Sequence, residues 1–241
     1  MNGLFSALFW VFLAITSIFL FFIALFIWIF TFLFDKRLFL LHKFTCFWAS
    51  IYTWINPFWK LTIQGLEKIK SDKTYVMVAN HQSLVDILIL FRIFKHFKWV
   101  SKSEIFKIPF VGWNMSLNRY IKLKRGNMKS NLRMMKECEK NLLSGNSILI
   151  FPEGTRSTDG KVKTFKEGAF DLARKCKLPI LPIVIQGTGS VLPKKGLVLR
   201  GNHSMKITIL DEIPYSDFTS IESNTLAEKV RVNISTIVAS G

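Results

Sequence analysis

Hydrophobic and polar positions divide this chain into two unlike parts. Through residues 1–34 no side chain is charged, and apolar residues fall on every side of a helix drawn through them. Residues 4–34 as one helix would be roughly 45 Å long, against a hydrocarbon core of ~30 Å. The segment therefore predicts a membrane helix that tilts or runs into the headgroups. A secretory signal needs a basic start, a shorter apolar run and a small-residue cleavage site. Met1-Asn2-Gly3 has no basic start, so the segment reads as a retained anchor. Residues 44–59 follow a different pattern, with Phe47, Ile51, Trp54 and Phe58 near one helical face and further aromatics at Trp48, Tyr52 and Trp59. Too short to span, this stretch reads as an interfacial helix, or equally as one packed on the protein's own core. Asn56-Pro57 ends it.

After residue 60 the pattern changes. Residues 75–79 read as a buried strand, 80–83 as a loop and 84–94 as a helix. Strands are expected at 97–100 and 120–123, then a basic helix at 128–143. A strand at 147–151 leads into Pro152-Glu153-Gly154. A helix at 165–175, strands at 180–185 and 205–210, and a helix at 221–238 complete the series. Alternating strands and helices with short connections imply an α/β domain with a largely parallel sheet flanked by helices. The expected organisation is an anchor and interfacial helix in 1–60 and a catalytic domain in 61–241. Sites in such sheets sit at the carboxyl ends of the strands. The segments 80–86 and 151–157 both lie directly after expected strands.

Charge refines this picture. The 241 residues include 33 Lys and Arg against 16 Asp and Glu, a formal net charge of +17. Anionic lipid and nucleic acid both suit such a surface. Asp35, Lys36, Arg37 and Lys43 come immediately after the apolar run, which by the positive-inside rule puts the following domain on the cytoplasmic side. The basic helix contains Glu137 and Glu139 and no aromatic stacking platform, which argues against a nucleic-acid partner. Cys46, Cys138 and Cys176 are scattered, with no disulfide framework and no metal-ligand spacing.

Two segments carry candidate chemistry. In Asn80-His81-Gln82-Ser83-Leu84-Val85-Asp86, a histidine in the loop can fold back onto the first turn of the next helix. Asp86 can then hold the proton on one ring nitrogen and leave the other free to take one. The same residues also read as a helix cap and an ordinary ion pair. In Pro152-Glu153-Gly154-Thr155-Arg156-Ser157, glycine permits close backbone approach and Arg156 offers a planar donor suited to phosphate. An ordinary turn with a surface arginine fits equally.

In this order, about seventy positions apart and after an apolar start, NHQSLVD and FPEGTRS resemble the motifs of the glycerolipid acyltransferases, those acting on 1-acylglycerol-3-phosphate above all. The resemblance implies that His81 is a general base and Asp86 its orienter. Glu153, Gly154, Thr155 and Arg156 would bind a glycerol-phosphate acceptor. Lys102 would contact phosphate and Arg125 would match the arginine of the second motif. Leu181-Pro182-Ile183-Val184 looks like the fourth motif. One departure stands out: the second motif often reads Ile-Asp-Arg, and here it is Leu123-Lys124-Arg125. The implied reaction moves a fatty acyl group from acyl-CoA or acyl carrier protein to the sn-2 hydroxyl of lysophosphatidate, with no cofactor or metal. The implied partners are these lipids, an anionic phospholipid membrane and the carrier protein. Glycerol-3-phosphate or another lysophospholipid is the alternative acceptor. Outside the family stand a serine hydrolase, for which no GxSxG elbow is present, and a non-catalytic basic membrane-binding protein.

Overall fold

A computed structural model describes residues 3–194 and 196–240; Met1 and Asn2 of the expected anchor lie outside the described residues. The chain begins with two helices, α1 (Gly3–Thr31) and α2 (Phe39–Trp54). Seven strands follow: β1 (Trp59–Gln64), β2 (Val76–Ala79), β3 (Phe97–Lys102), β4 (Ile121–Leu123), β5 (Ser147–Ile150), β6 (Ile180–Gln186) and β7 (His203–Ile209). Between and after them lie α3 (Val85–Leu90), α4 (Val111–Leu117), α5 (Met128–Leu143), α6 (Gly168–Cys176), α7 (Thr188–Val191) and α8 (Ser223–Ala239).

The strands form one sheet in the order β1-β7-β6-β2-β5-β3-β4. Every neighbouring pair is parallel except β6 and β7, which run antiparallel. The central strands are apolar on both faces because both are covered, as parallel sheets require. Met77, Ala79, Leu149, Leu181 and Ile183 face one layer with α1, α2 and α3. Val76, Val78, Ile148, Ile180 and Val184 face the other, with α5, α6 and α8.

The largely parallel sheet agrees with the sequence expectation, and the differences have local causes. Strand β1, with its alternating burial, was not expected. It exists because β7 supplies a parallel partner, with Trp59 opposite His203, across more than 140 positions of sequence. The helix expected at 84–94 is regular only to Leu90. It tightens to a 3₁₀ turn at Phe91–Ile93 and stops at Phe94, whose φ is 51°. Helix α4 was missed because a seven-residue helix carries little periodicity.

Helix α1 is long and apolar enough to cross a membrane by length and composition. It is also docked along the protein. Ser6 Oγ accepts from the Leu199 N–H at 3.0 Å, Trp10 Nε1 donates to the Leu197 carbonyl at 2.7 Å, and Phe21 packs edge-on against Phe110 and Trp113. The opposite side, with Leu4, Leu8, Phe19, Phe22, Phe26 and Phe30, is exposed. The aromatic segment divides in the same way. Trp48 and Tyr52 are buried and hydrogen-bonded to each other at 2.8 Å, whereas Phe47 and Trp54 of α2 point outward. Beyond the helix, Phe58 packs on Phe5.

Candidate active site

The site lies at the carboxyl edge of the sheet, where three strands end side by side. After β2 comes the loop that holds His81; after β5 comes the turn from Phe151 to Arg156; after β6 comes Gly187 and then α7. Asn80 ties the first loop to β6. Its side-chain amide donates to the Ile185 carbonyl and its carbonyl accepts from the Ile185 N–H, both at 2.8 Å.

His81 is buried, and its Nδ1 lies 2.8 Å from Asp86 Oδ2. The same carboxylate oxygen accepts the backbone N–H groups of Gln82 at 2.7 Å and Ser83 at 2.9 Å. Oδ1 accepts the Thr188 hydroxyl. A carboxylate can only accept, so His81 carries its proton on Nδ1 and presents Nε2 as the free lone pair. Phe151 fixes the plane of the imidazole by stacking on it, with centroids 4.0 Å apart and planes 10° from parallel.

The loop after β5 is held against this dyad by backbone. Glu153 Oε1 accepts the His81 N–H at 2.7 Å and Oε2 accepts the Lys163 N–H at 3.0 Å; the Ser157 N–H donates to the His81 carbonyl at 2.8 Å. Both oxygens of Glu153 are thus engaged in clipping two loops together. Burial pushes its carboxyl above the ordinary value, against the opposing pull of these two N–H groups. Gly154 makes the turn at φ 69°, its N–H donating to the Phe151 carbonyl at 3.0 Å. Thr155 is half-buried beside it.

Arg156 is half-buried and close enough to feel both Asp86 and Arg125. Burial lowers its guanidinium from the ordinary value, Asp86 opposes that shift, and Arg125 adds to it. Its carbonyl accepts from the ammonium groups of Lys163 at 3.3 Å and Lys194 at 2.9 Å. Arg125 is exposed, two residues beyond β4. Lys102 ends β3 at the same edge of the sheet, but its ammonium lies 3.5 Å from Glu104. The structure therefore joins His81, Asp86 and Glu153 by hydrogen bonds, carries Gly154 and Arg156 on the same loop as Glu153, sets Arg125 within electrostatic range of Arg156, and leaves Lys102 two strands from β2.

Thr188 was missed. The run Gly187-Thr188-Gly189-Ser190 invites attention as a serine-nucleophile pattern, yet Ser190 is exposed and Thr188 is the buried residue. The usable signal was position, directly after a strand expected to end at the site. Gly187 has φ 83°, and a Cβ there would run into the Ser204 carbonyl, so only glycine lets the chain turn Thr188 toward Asp86. Ser83, the other serine near the histidine, donates its hydroxyl to the Leu192 carbonyl at 2.7 Å. Thr188→Val removes a donor to a buried carboxylate at nearly constant shape. It should lower turnover about tenfold with little change in KM, and Thr188→Ser should stay near wild type. Equal kcat for the valine variant and wild type would remove Thr188 from the machinery.

A carboxylate-held histidine beside a cationic loop, at the strand ends of a covered parallel sheet, defines the class: an α/β enzyme with a histidine–aspartate site. Comparison with known proteins makes the assignment particular. Residues 60–186 match the Acyltransferase family model, and the chain belongs to that family. It is 43% identical over 177 residues to a chloroplastic 1-acyl-sn-glycerol-3-phosphate acyltransferase of Arabidopsis thaliana, covering 72% of this chain and 49% of that protein. A 1-acyl-sn-glycerol-3-phosphate acyltransferase of Saccharomyces cerevisiae is 36% identical over 170 residues, covering 68% and 55%. The chain spans about half the length of the curated relatives it matches. Among solved structures, the 1-acyl-sn-glycerophosphate acyltransferase PlsC of Thermotoga maritima superposes with a TM-score of 0.79 at 26% identity, covering 99% of this chain and 95% of that one.

Proposed function

We propose that this chain is a 1-acyl-sn-glycerol-3-phosphate O-acyltransferase. The observation that carries the reading is the His81–Asp86 pair, with Nδ1 engaged and Nε2 free, within electrostatic reach of Arg156. The names of its relatives support the same acceptor. In the proposed step His81 Nε2 takes the proton of the sn-2 hydroxyl of lysophosphatidate. The hydroxyl oxygen attacks the thioester carbonyl of acyl-CoA or acyl carrier protein; the C–O bond forms and the C–S bond breaks. The thiolate leaves with the proton that the imidazolium returns, and phosphatidate is the product. Arg156, with Arg125 and Lys102, provides positive charge for the acceptor phosphate, and Glu153, Gly154 and Thr155 shape the loop around it. A thioester already has a good leaving group, so the step is written without metal or cofactor.

Membrane placement belongs to the same reading. The docked side of α1 and the exposed apolar side of α1 and α2 favour a helix pair lying in one leaflet, because the sheet domain follows α1 along its length. Asp35, Lys36, Arg37 and Lys43 favour the cytoplasmic leaflet. The test is an assay of the detergent-purified protein with palmitoyl-CoA and lysophosphatidate. Formation of phosphatidate is the expected result; failure with this pair, with carrier-protein donors and with other lysolipids would overturn the reading.

A further inference from the structure

The outer face of α5 is strongly basic. Lys129, Arg133, Lys136 and Lys140 recur at steps of four, three and four, and so form one stripe about 16 Å long. All four are exposed, and with Leu132 and Glu137 they line an open depression on the helix. Glu137 is taken up by Arg133 at 2.9 Å, and the other acid of the helix, Glu139, is paired with Lys175 at 2.7 Å. Among the described residues, Lys129, Lys136 and Lys140 pair with no carboxylate. One exposed apolar side chain, Leu132, is set into the stripe. Beyond its N-terminal end the charge continues through Arg125, whose guanidinium acts on Arg156 in the site.

The position of α5 selects the kind of partner. It packs on the sheet face that carries Val76, Val78 and Ile148, together with α6 and α8. The exposed apolar surface of α1 and α2 belongs to the opposite face. With that surface in lipid, α5 points away from the bilayer toward water. A basic stripe with a single apolar insertion, turned to the aqueous phase and leading to the site, fits an acidic soluble protein better than a lipid surface.

We propose that the outer face of α5 docks the acidic protein that carries the acyl thioester, so that the donor is delivered to His81 from the side of the sheet away from the membrane. The proposal rests on the acyl-transfer reading above and adds to it a surface and a donor. Coulombic attraction across such a face acts mainly on encounter, so its loss should appear as a higher KM for the carrier-borne donor and a weaker salt dependence.

The test compares two donors on one protein. In the full chain, Lys129→Glu, Lys136→Glu and Lys140→Glu are combined, with the double Lys129→Ala, Lys136→Ala variant as a milder control for folding. With lysophosphatidate as acceptor, KM for palmitoyl-acyl carrier protein should rise about tenfold or more in the triple variant. KM for palmitoyl-CoA should change less than about twofold. Carrier-protein binding is followed separately by fluorescence anisotropy, which needs no turnover, and should be lost in step. An unchanged KM for the carrier-borne donor overturns the proposal, as does an equal rise for both donors. Loss of phosphatidylglycerol-vesicle binding in place of carrier binding would make the face a lipid contact. Transfer by the wild type from palmitoyl-CoA but not from the carrier defeats this proposal alone. Transfer from neither donor defeats the function, and the anisotropy measurement still decides the docking.

Discussion

His81→Ala should lower kcat for acyl transfer by about 10²- to 10⁴-fold, the usual contribution of a positioned general base. KM for both substrates should move little, because no phosphate-binding charge is removed. The variant should fold. Asp86 would keep the Gln82 and Ser83 N–H groups and the Thr188 hydroxyl, so its buried carboxylate is not stranded when the imidazole goes. The Glu153 clip uses the backbone N–H of residue 81, which alanine retains. Circular dichroism alongside single-turnover kinetics checks both halves. Near-normal turnover in folded protein would remove His81 as the base and with it the proposed mechanism.

The second large effect belongs to Arg156. Replacing it with alanine should raise KM for lysophosphatidate about 10- to 100-fold, as expected for losing a charge-assisted bond of roughly 1.5–3 kcal/mol. The kcat should fall only a few-fold, since the dyad is untouched. Arg156→Lys should recover part of the loss, because an ammonium keeps the charge but cannot make the paired, planar contact. An acceptor without phosphate, such as a monoacylglycerol, should react no worse with the variant than with wild type. Were KM for lysophosphatidate unmoved, the phosphate would have to bind elsewhere, and Arg125 and Lys102 would be the next residues to replace. The two substitutions thus separate proton transfer from acceptor binding, one reading in kcat and the other in KM.

Much of this protein could be read before any tertiary contact was known. An uncharged run of more than thirty residues can only be lipid-facing or deeply packed, and α1 proves apolar and largely exposed. Continuous apolar segments with short connections determine a covered parallel sheet, because only burial on both faces accounts for strands such as Val76–Ala79. His81 and Asp86 were legible as a pair because five residues across a loop-to-helix junction make a local ring of hydrogen bonds.

What tertiary structure alone decided was which distant segments meet. Periodicity records that a face is buried, not what buries it. Strand β1 therefore stayed hidden until β7 came beside it, and nothing local marks β7 as the strand that runs antiparallel to β6. Thr188 reaches Asp86 across 102 positions, and Glu153 reaches the His81 backbone across 72. Both contacts exist because β2, β5 and β6 are neighbours in the sheet, an order set by the packing of the whole domain. The flat docking of α1 has the same origin. Its inward residues, Phe9 and Phe21, are as apolar as its outward ones, and only the presence of Trp59, Phe110 and Trp113 on one side tells them apart.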